Sequence, residues 1–130
     1  MAEIISYAQA GLSPEIMGLG PVPAIANALE KSDLSLQDIE YFELNEAFAA
    51  QAIGVTKQLA EQHNVEQSWI LDRTNHNGGA IALGHPLGAS GIRILVSLAY
   101  QLERKQQDYG LASLCIGGGM GTAVIIKRCS

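Results

Sequence analysis

The chain has 130 residues, with 8 Lys and Arg against 13 Asp and Glu, for a formal charge of −5. That length supports one substantial hydrophobic core, and the negative balance works against a nucleic-acid partner, whose phosphates need clustered Lys and Arg. Apolar residues make up 48% and charged residues only 16%, where roughly 25% charged is usual, so part of the surface is expected to meet protein instead of water.

Residues 3–10 carry Ile4, Ile5 and Tyr7 and read as a strand, followed by a loop over 11–20 rich in Gly, Ser and Pro. A helix is expected to start at Pro21, where a missing N–H costs nothing, and to run to about Lys31 with Val22, Ile25, Ala28 and Leu29 on one face. Ser35 and Asp38 form an S-x-x-D cap for one short turn. Residues 41–44 read as a short apolar strand. Residues 47–63 read as a buried helix with Phe48, Ala52, Val55 and Leu59 as its inner stripe. Residues 64–72 are a polar connection, and 73–82 are expected to be a short strand running into a Gly-rich turn.

A third long helix should follow the loop 84–91 and reach about Lys105, with Ile92, Leu95, Val96, Ala99 and Leu102 repeating at three or four residues. Two strands, 111–116 and 122–127, close the chain around the turn 117–121. The order is βαβαβαββ. It predicts one α/β domain over residues 1–130, with helices on both faces of a mixed sheet and one antiparallel strand from the terminal hairpin.

The first basic residue is Lys31, so a secretory or transit leader is not expected and the mature chain is expected to begin near Met1. The run 74–101 contains only Arg93 as a charge, but Asn75, Asn77, Pro86 and several glycines break it, so no membrane partner is expected. Cys115 and Cys129 lack CxxC spacing and disulfide density, which makes the cytoplasm the expected compartment. His63, His76, His85 and Cys115 show no paired metal-ligand spacing, and no loop has P-loop or dinucleotide spacing.

Three polar constellations fall at strand ends or in Gly-rich turns, where open α/β sheets place ligand sites: Asn45-Glu46, His85 in GHPLGASG and Cys115 in CIGGGMG. Each has a plainer reading. Asn45 can cap the helix that follows it, His85 can be an ordinary loop histidine, and Cys115 can be a small buried hydrophobe. Nine of the 14 glycines nevertheless flank His85 and Cys115. Such loops let backbone N–H groups approach and hold an oxyanion.

Three segments carry a resemblance. NEAFAAQ (45–51), NHNGGAIALGHPLGASGIRI (75–94) and GLASLCIGGGMGTAVI (110–125) resemble, in order, the signature segments of the C-terminal half of the thiolase family, and SYAQAGLSPEIMGLGPVPA (6–24) resembles the start of that half. The resemblance implies acyl transfer between acyl-CoA thioesters by Claisen condensation or its thiolytic reverse, of the acetyl-CoA acetyltransferase or 3-ketoacyl-CoA thiolase type, with no cofactor beyond the substrates.

By the same resemblance, Cys115 matches the acid/base cysteine, His85 the histidine that activates the nucleophile and donates to the enolate oxygen, Asn45 the asparagine that holds a water in that oxyanion hole, and the Gly117 N–H a donor to the tetrahedral intermediate. Met17, Ala47 and Phe48 match residues lining the pantetheine tunnel. His76 is expected to be structural and Cys129 an exposed tail thiol. The nucleophilic cysteine belongs to the family's N-terminal half, so the chain is expected to be inactive without that half, to assemble as a homo- or hetero-oligomer, and to leave the nucleotide end of CoA to its partner. The alternative is a non-catalytic half-thiolase interaction module or a truncated fragment.

Overall fold

The opening apolar run forms β1 (Ala2–Gly11), in which Ser6 and Ala8 turn inward while Tyr7 and Gln9 face out, the alternation of a strand with one covered face. A computed structural model describes residues 2–129 of the chain. After a 3-10 turn at Pro14–Leu19, helix α1 (Pro21–Ser32) begins at a proline and ends where Asp33 takes a left-handed φ of 55°. The expected cap forms at Ser35, whose N–H donates to Asp38 Oδ2 at 2.8 Å. There follow β2 (Tyr41–Leu44), α2 (Ala49–His63), α3 (Gln67–Leu71), α4 (Ala80–Leu83), α5 (Ser90–Lys105), β3 (Tyr109–Ile116) and β4 (Met120–Arg128).

The sheet order is β1-β4-β3-β2, with β2 parallel to β3 and β4 antiparallel to both its neighbours. Helices cover both faces, as the α/β reading requires. Ile25, Ala28, Leu59 and Ile70 from α1, α2 and α3 form one core with Phe42, Leu111 and Ile125, and Ile94, Leu98 and Leu102 of α5 form a second with Tyr41, Ala112 and Ile126 on the other side.

Four local expectations change. The strand expected over 73–82 shrinks to a single parallel bridge between Phe42 and Thr74, because Asn75 takes a positive φ of 52° and Ala80–Leu83 closes into a helical turn. The connection 64–72 contains α3, which buries Ile70 completely. Phe48 leaves the inner stripe of α2: it lies in extended backbone just before the helix, is 53% exposed, and Gln51 takes the buried position.

The fourth change concerns α5, which buries Ile94, Leu98 and Leu102 while Ile92 and Val96 stand outward at 64% and 46% exposure. The cause is its seat on the sheet. A Cβ at Gly110 of β3 would come within 2.5 Å of Leu98 Cδ1 and 3.1 Å of Leu102 Cδ1, so the helix lies hard against β3 and β2. The β1 and β4 side of that face stays open as a groove of about 440 Å³ lined by Ile4, Ile92, Leu95, Val96, Ala99 and Tyr100.

Candidate active site

Strands β2 and β3 run parallel with Leu44 opposite Ser113, so their C-terminal ends lie side by side. Asn45 extends this ladder by one residue, its N–H donating to the Ser113 carbonyl at 3.0 Å. Its side chain is 2% exposed. It caps no helix: α2 begins four residues later, and the free N–H of Ala47 is met by Gln51 Oε1 at 3.2 Å. Instead Asn45 Nδ2 lies 3.4 Å from His85 Nε2, while Asn45 Oδ1 is buried without a partner among the described residues. The plainer reading of Asn45 therefore fails, and the first two motifs meet.

His85 sits in the short loop between α4 and α5, with its Nδ1 2.6 Å from Ser90 Oγ. The Ser90 hydroxyl has one proton and donates it to the Pro86 carbonyl at 3.2 Å. Ser90 Oγ can then accept from Nδ1–H, and in that tautomer Nε2 carries the lone pair that faces the Asn45 amide. Ser90 is fully buried, so the imidazole is held from behind by a group that neither water nor substrate can displace.

Cys115 lies at the end of β3, half-buried, opposite Gly121 in β4. Burial pushes its thiol pKa up, so the neutral thiol is favoured. It reaches the same end of the sheet as Asn45 and His85 but is joined to neither by a hydrogen bond among the described residues. The turn after it is fixed backbone to backbone. Gly119 has a φ of +95° and any side chain there would strike the Leu12 carbonyl, whose own N–H donates to the Gly119 carbonyl at 2.8 Å. Gly117 differs. It has no positive φ and open space where a Cβ would stand, as do Gly88 and Gly91 beside His85.

Met17 lies in the 3-10 turn before α1 and Ala47 in the bend before α2, both partly buried, with Phe48 next to Ala47. The two segments touch: a Cβ at Gly18 would meet Gln51 Cγ at 2.8 Å and Phe48 Cζ at 3.6 Å. His76 holds its loop, its N–H donating to Tyr41 Oη at 2.6 Å and its Nε2 lying 2.7 Å from the Asp72 carbonyl. Cys129 is exposed. No group of three His, Cys, Asp or Glu among the described residues is placed to hold a metal, and no described helix is long and apolar enough to cross a membrane.

Several supporting residues escape the motif reading. Ser90 is one. Asn75 is another: it clamps Leu44 from both sides, accepting from its N–H at 3.1 Å and donating to its carbonyl at 2.8 Å. The positive φ of Asn75 could have been anticipated, since Asn tolerates that region better than most residues. Glu43 is a buried acid inside β2, its pKa pushed up to about 7 by burial, against a smaller downward pull from the Arg93 guanidinium. Tyr41 Oη donates to Glu43 Oε1 at 3.4 Å. No spacing in the sequence marks this pair.

The chain's likeness to known proteins follows the same residues. The family described as "Thiolase, C-terminal domain" matches residues 1–128. The acetyl-CoA acetyltransferase of Syntrophomonas wolfei is 52% identical over 127 residues, covering 98% of this chain and 31% of the relative, and the cytosolic acetyl-CoA acetyltransferase of Rattus norvegicus is 49% identical over 128 residues, covering 98% and 30%. Among solved structures, the Bacillus anthracis acetyl-CoA acetyltransferase superposes with a TM-score of 0.90 at 46% identity, and human mitochondrial 3-ketoacyl-CoA thiolase in complex with CoA with 0.89 at 48%; each covers 99% of this chain and 31% of that one. The chain thus spans about three-tenths of the length of the curated relatives it matches. With its sheet order, its three motif loops and this match over nearly its whole length in agreement, the chain belongs to the thiolase family, as its C-terminal domain.

Proposed function

We propose that this chain is the C-terminal catalytic domain of an acetyl-CoA acetyltransferase, working with an N-terminal half that carries the nucleophilic cysteine and binds the nucleotide end of CoA. In condensation, that nucleophile's thiolate displaces CoA from one acyl-CoA to give an S-acyl enzyme. The departing CoA thiolate takes the Cys115 proton, and the Cys115 thiolate so formed takes a proton from C2 of acetyl-CoA as the electron pair moves onto the thioester oxygen. The enolate carbon attacks the acyl carbonyl, the bond to the nucleophile's sulfur breaks, and 3-ketoacyl-CoA leaves. The reading needs no cofactor beyond the CoA thioesters.

The observation that carries this reading is the contact between buried Asn45 and partly buried His85. A lone pair on Nε2 can take the nucleophile's thiol proton, and the resulting Nε2–H can donate to the enolate oxygen, while the unpartnered Asn45 Oδ1 can hold a water beside it. Prepositioned donors in such a site typically contribute a few kcal/mol each to an oxyanion. In cleavage the same enolate must be protonated, and the neutral thiol that burial favours at Cys115 is the form that does so. The Gly117 N–H is the proposed donor to the tetrahedral intermediate, and the bare space beside Gly117, Gly88 and Gly91 leaves room for substrate or partner. Met17, Ala47 and Phe48 are proposed to line the pantetheine path.

The open groove beside α5 is the proposed seat of the N-terminal half, in an oligomeric enzyme of the cytoplasm that acts in fatty-acid metabolism. The test is reconstitution. Mixed with a matching N-terminal half, the chain is expected to restore cleavage of acetoacetyl-CoA by free CoA, and Cys115→Ala or His85→Asn to abolish it. Full activity in both variants would end this reading. A non-catalytic interaction module would rest on the same groove, and it would bind partners equally well with Cys115 and His85 replaced.

A further inference from the structure

We propose that Glu46 is the positioning residue for His85. Glu46 follows Asn45 directly, and its carboxylate reaches across to the segment that carries the histidine. Oε2 accepts from the Ile81 N–H at 3.0 Å, and Oε1 accepts from Asn75 Nδ2 at 3.1 Å. Ile81 lies in the single turn of α4, whose N-cap is Gly79 and has no side chain to cap it. A side chain at Gly79 would collide with the Glu46 carboxylate itself. The sequence has removed the local cap and supplied one from the preceding motif, meeting an N–H that the first turn of the helix leaves without an intrahelical partner.

The consequence is geometric. Only Gly84 separates α4 from His85, so fixing Ile81 fixes the backbone entering the histidine, while Ser90 orients the ring from the other side. Asn45 meets the imidazole and Glu46 holds the loop beneath it. Two consecutive residues therefore set the spacing of the pair, and Asn75, clamped to Leu44, ties the same carboxylate to the end of β2. Both carboxylate oxygens are engaged by N–H donors, which makes Glu46 an acceptor that builds the site and not a group that exchanges protons with substrate.

The catalytic consequence rests on the proposed function, but the placement itself can be read in the isolated chain by NMR. In the native chain the Ile81 amide is expected to exchange slowly, and an NOE is expected between the Asn45 amide protons and the His85 ring. Glu46→Gln, which keeps the shape but gives up one acceptor, and Gly79→Ala, which displaces the carboxylate without removing it, are both expected to speed Ile81 exchange at least about tenfold and to lose that NOE, with Ile25 and Leu59 amides unchanged. In the reconstituted enzyme, Glu46→Gln is expected to lower kcat on the order of 10- to 100-fold with KM nearly unchanged, the penalty for a small misplacement of a catalytic group.

Free exchange of Ile81 in the native chain would overturn the proposal whether or not the variants fold. So would an intact Asn45–His85 contact in Glu46→Gln, with or without loss of activity. Full activity of His85→Asn would instead refute the proposed function and leave the placement standing.

Discussion

On one face of the sheet, α1 and α2 close over β1, β4 and β3, and Ala24, Ile25, Ala28 and Leu59 are completely buried; on the other, α5 packs on β2 and β3, touches β4 at Ile126, and leaves Ile4, Ile92 and Tyr100 at 60% exposure or more. The same chain therefore completes one core and leaves the other half covered. The difference lies in what each helix carries. α5 carries Ile94, Leu98 and Leu102 on the side pressed on Gly110, and Ile92, Val96 and Tyr100 on a side facing out. A face that is finished within the chain supports stability, and a face that is not is available to a partner.

Substitution on the closed face should have the largest effect. Leu59→Ala removes a fully buried side chain from the α1/α2 core and is expected to cost about 2–5 kcal/mol in denaturant unfolding of the chain. A loss under about 1 kcal/mol would mean that this face is looser than its packing indicates.

The half-covered face holds the buried acid, which gives an intermediate and pH-dependent effect. Glu43 is raised from 4.5 to about 7 in the folded chain, so the folded state holds its proton where the unfolded state has lost it. Its contribution is complete below pH 4.5 and is lost as pH climbs to about 7, at up to roughly 1.4 kcal/mol per pH unit. The difference in stability between the native chain and Glu43→Gln, followed across pH 4–8, should show that slope and then level off. A flat difference would place the carboxyl in water.

The smallest effect belongs to the open side of α5. Val96→Ser at 46% exposure is expected to change the chain's own stability by no more than about 0.5 kcal/mol. The same change should weaken binding of the N-terminal half in a titration, and a large loss of stability in the isolated chain would show that Val96 is already packed.

Much of this was legible in the sequence because local chemistry decided it. Pro21 begins α1, the Ser35–Asp38 cap forms, and the two terminal strands pair around their glycine turn. The residues that resist such reading depend on distant neighbours. The apolar period of α5 points to one stripe, Ile92, Leu95, Val96, Ala99 and Leu102, but the close approach at Gly110, set by strand pairing, turns Ile94 and Leu98 inward with Leu102 and leaves Ile92 and Val96 outside. The strand expected after Arg73 yielded to the turn at Asn75, which spends its side chain on Leu44 instead of continuing a ladder. At the site, the motif residues Asn45 and His85 were visible, but Ser90, Glu46 and Glu43 are ordinary residue types whose roles appear only when β2, α4 and α5 are brought together.

On the proposed reading, the unfinished face of α5 is the seat of the N-terminal half. Isoleucine methyl NMR of the chain, titrated with the N-terminal portion of a full-length acetyl-CoA acetyltransferase, tests it most directly, because isoleucines report on both faces. Shifts are expected at Ile4 and Ile92, which line the groove, and none at Ile25, Ile39 or Ile70, which lie in the closed core. Shifts confined to the α1/α2 side, or no shift at saturating partner, would contradict it.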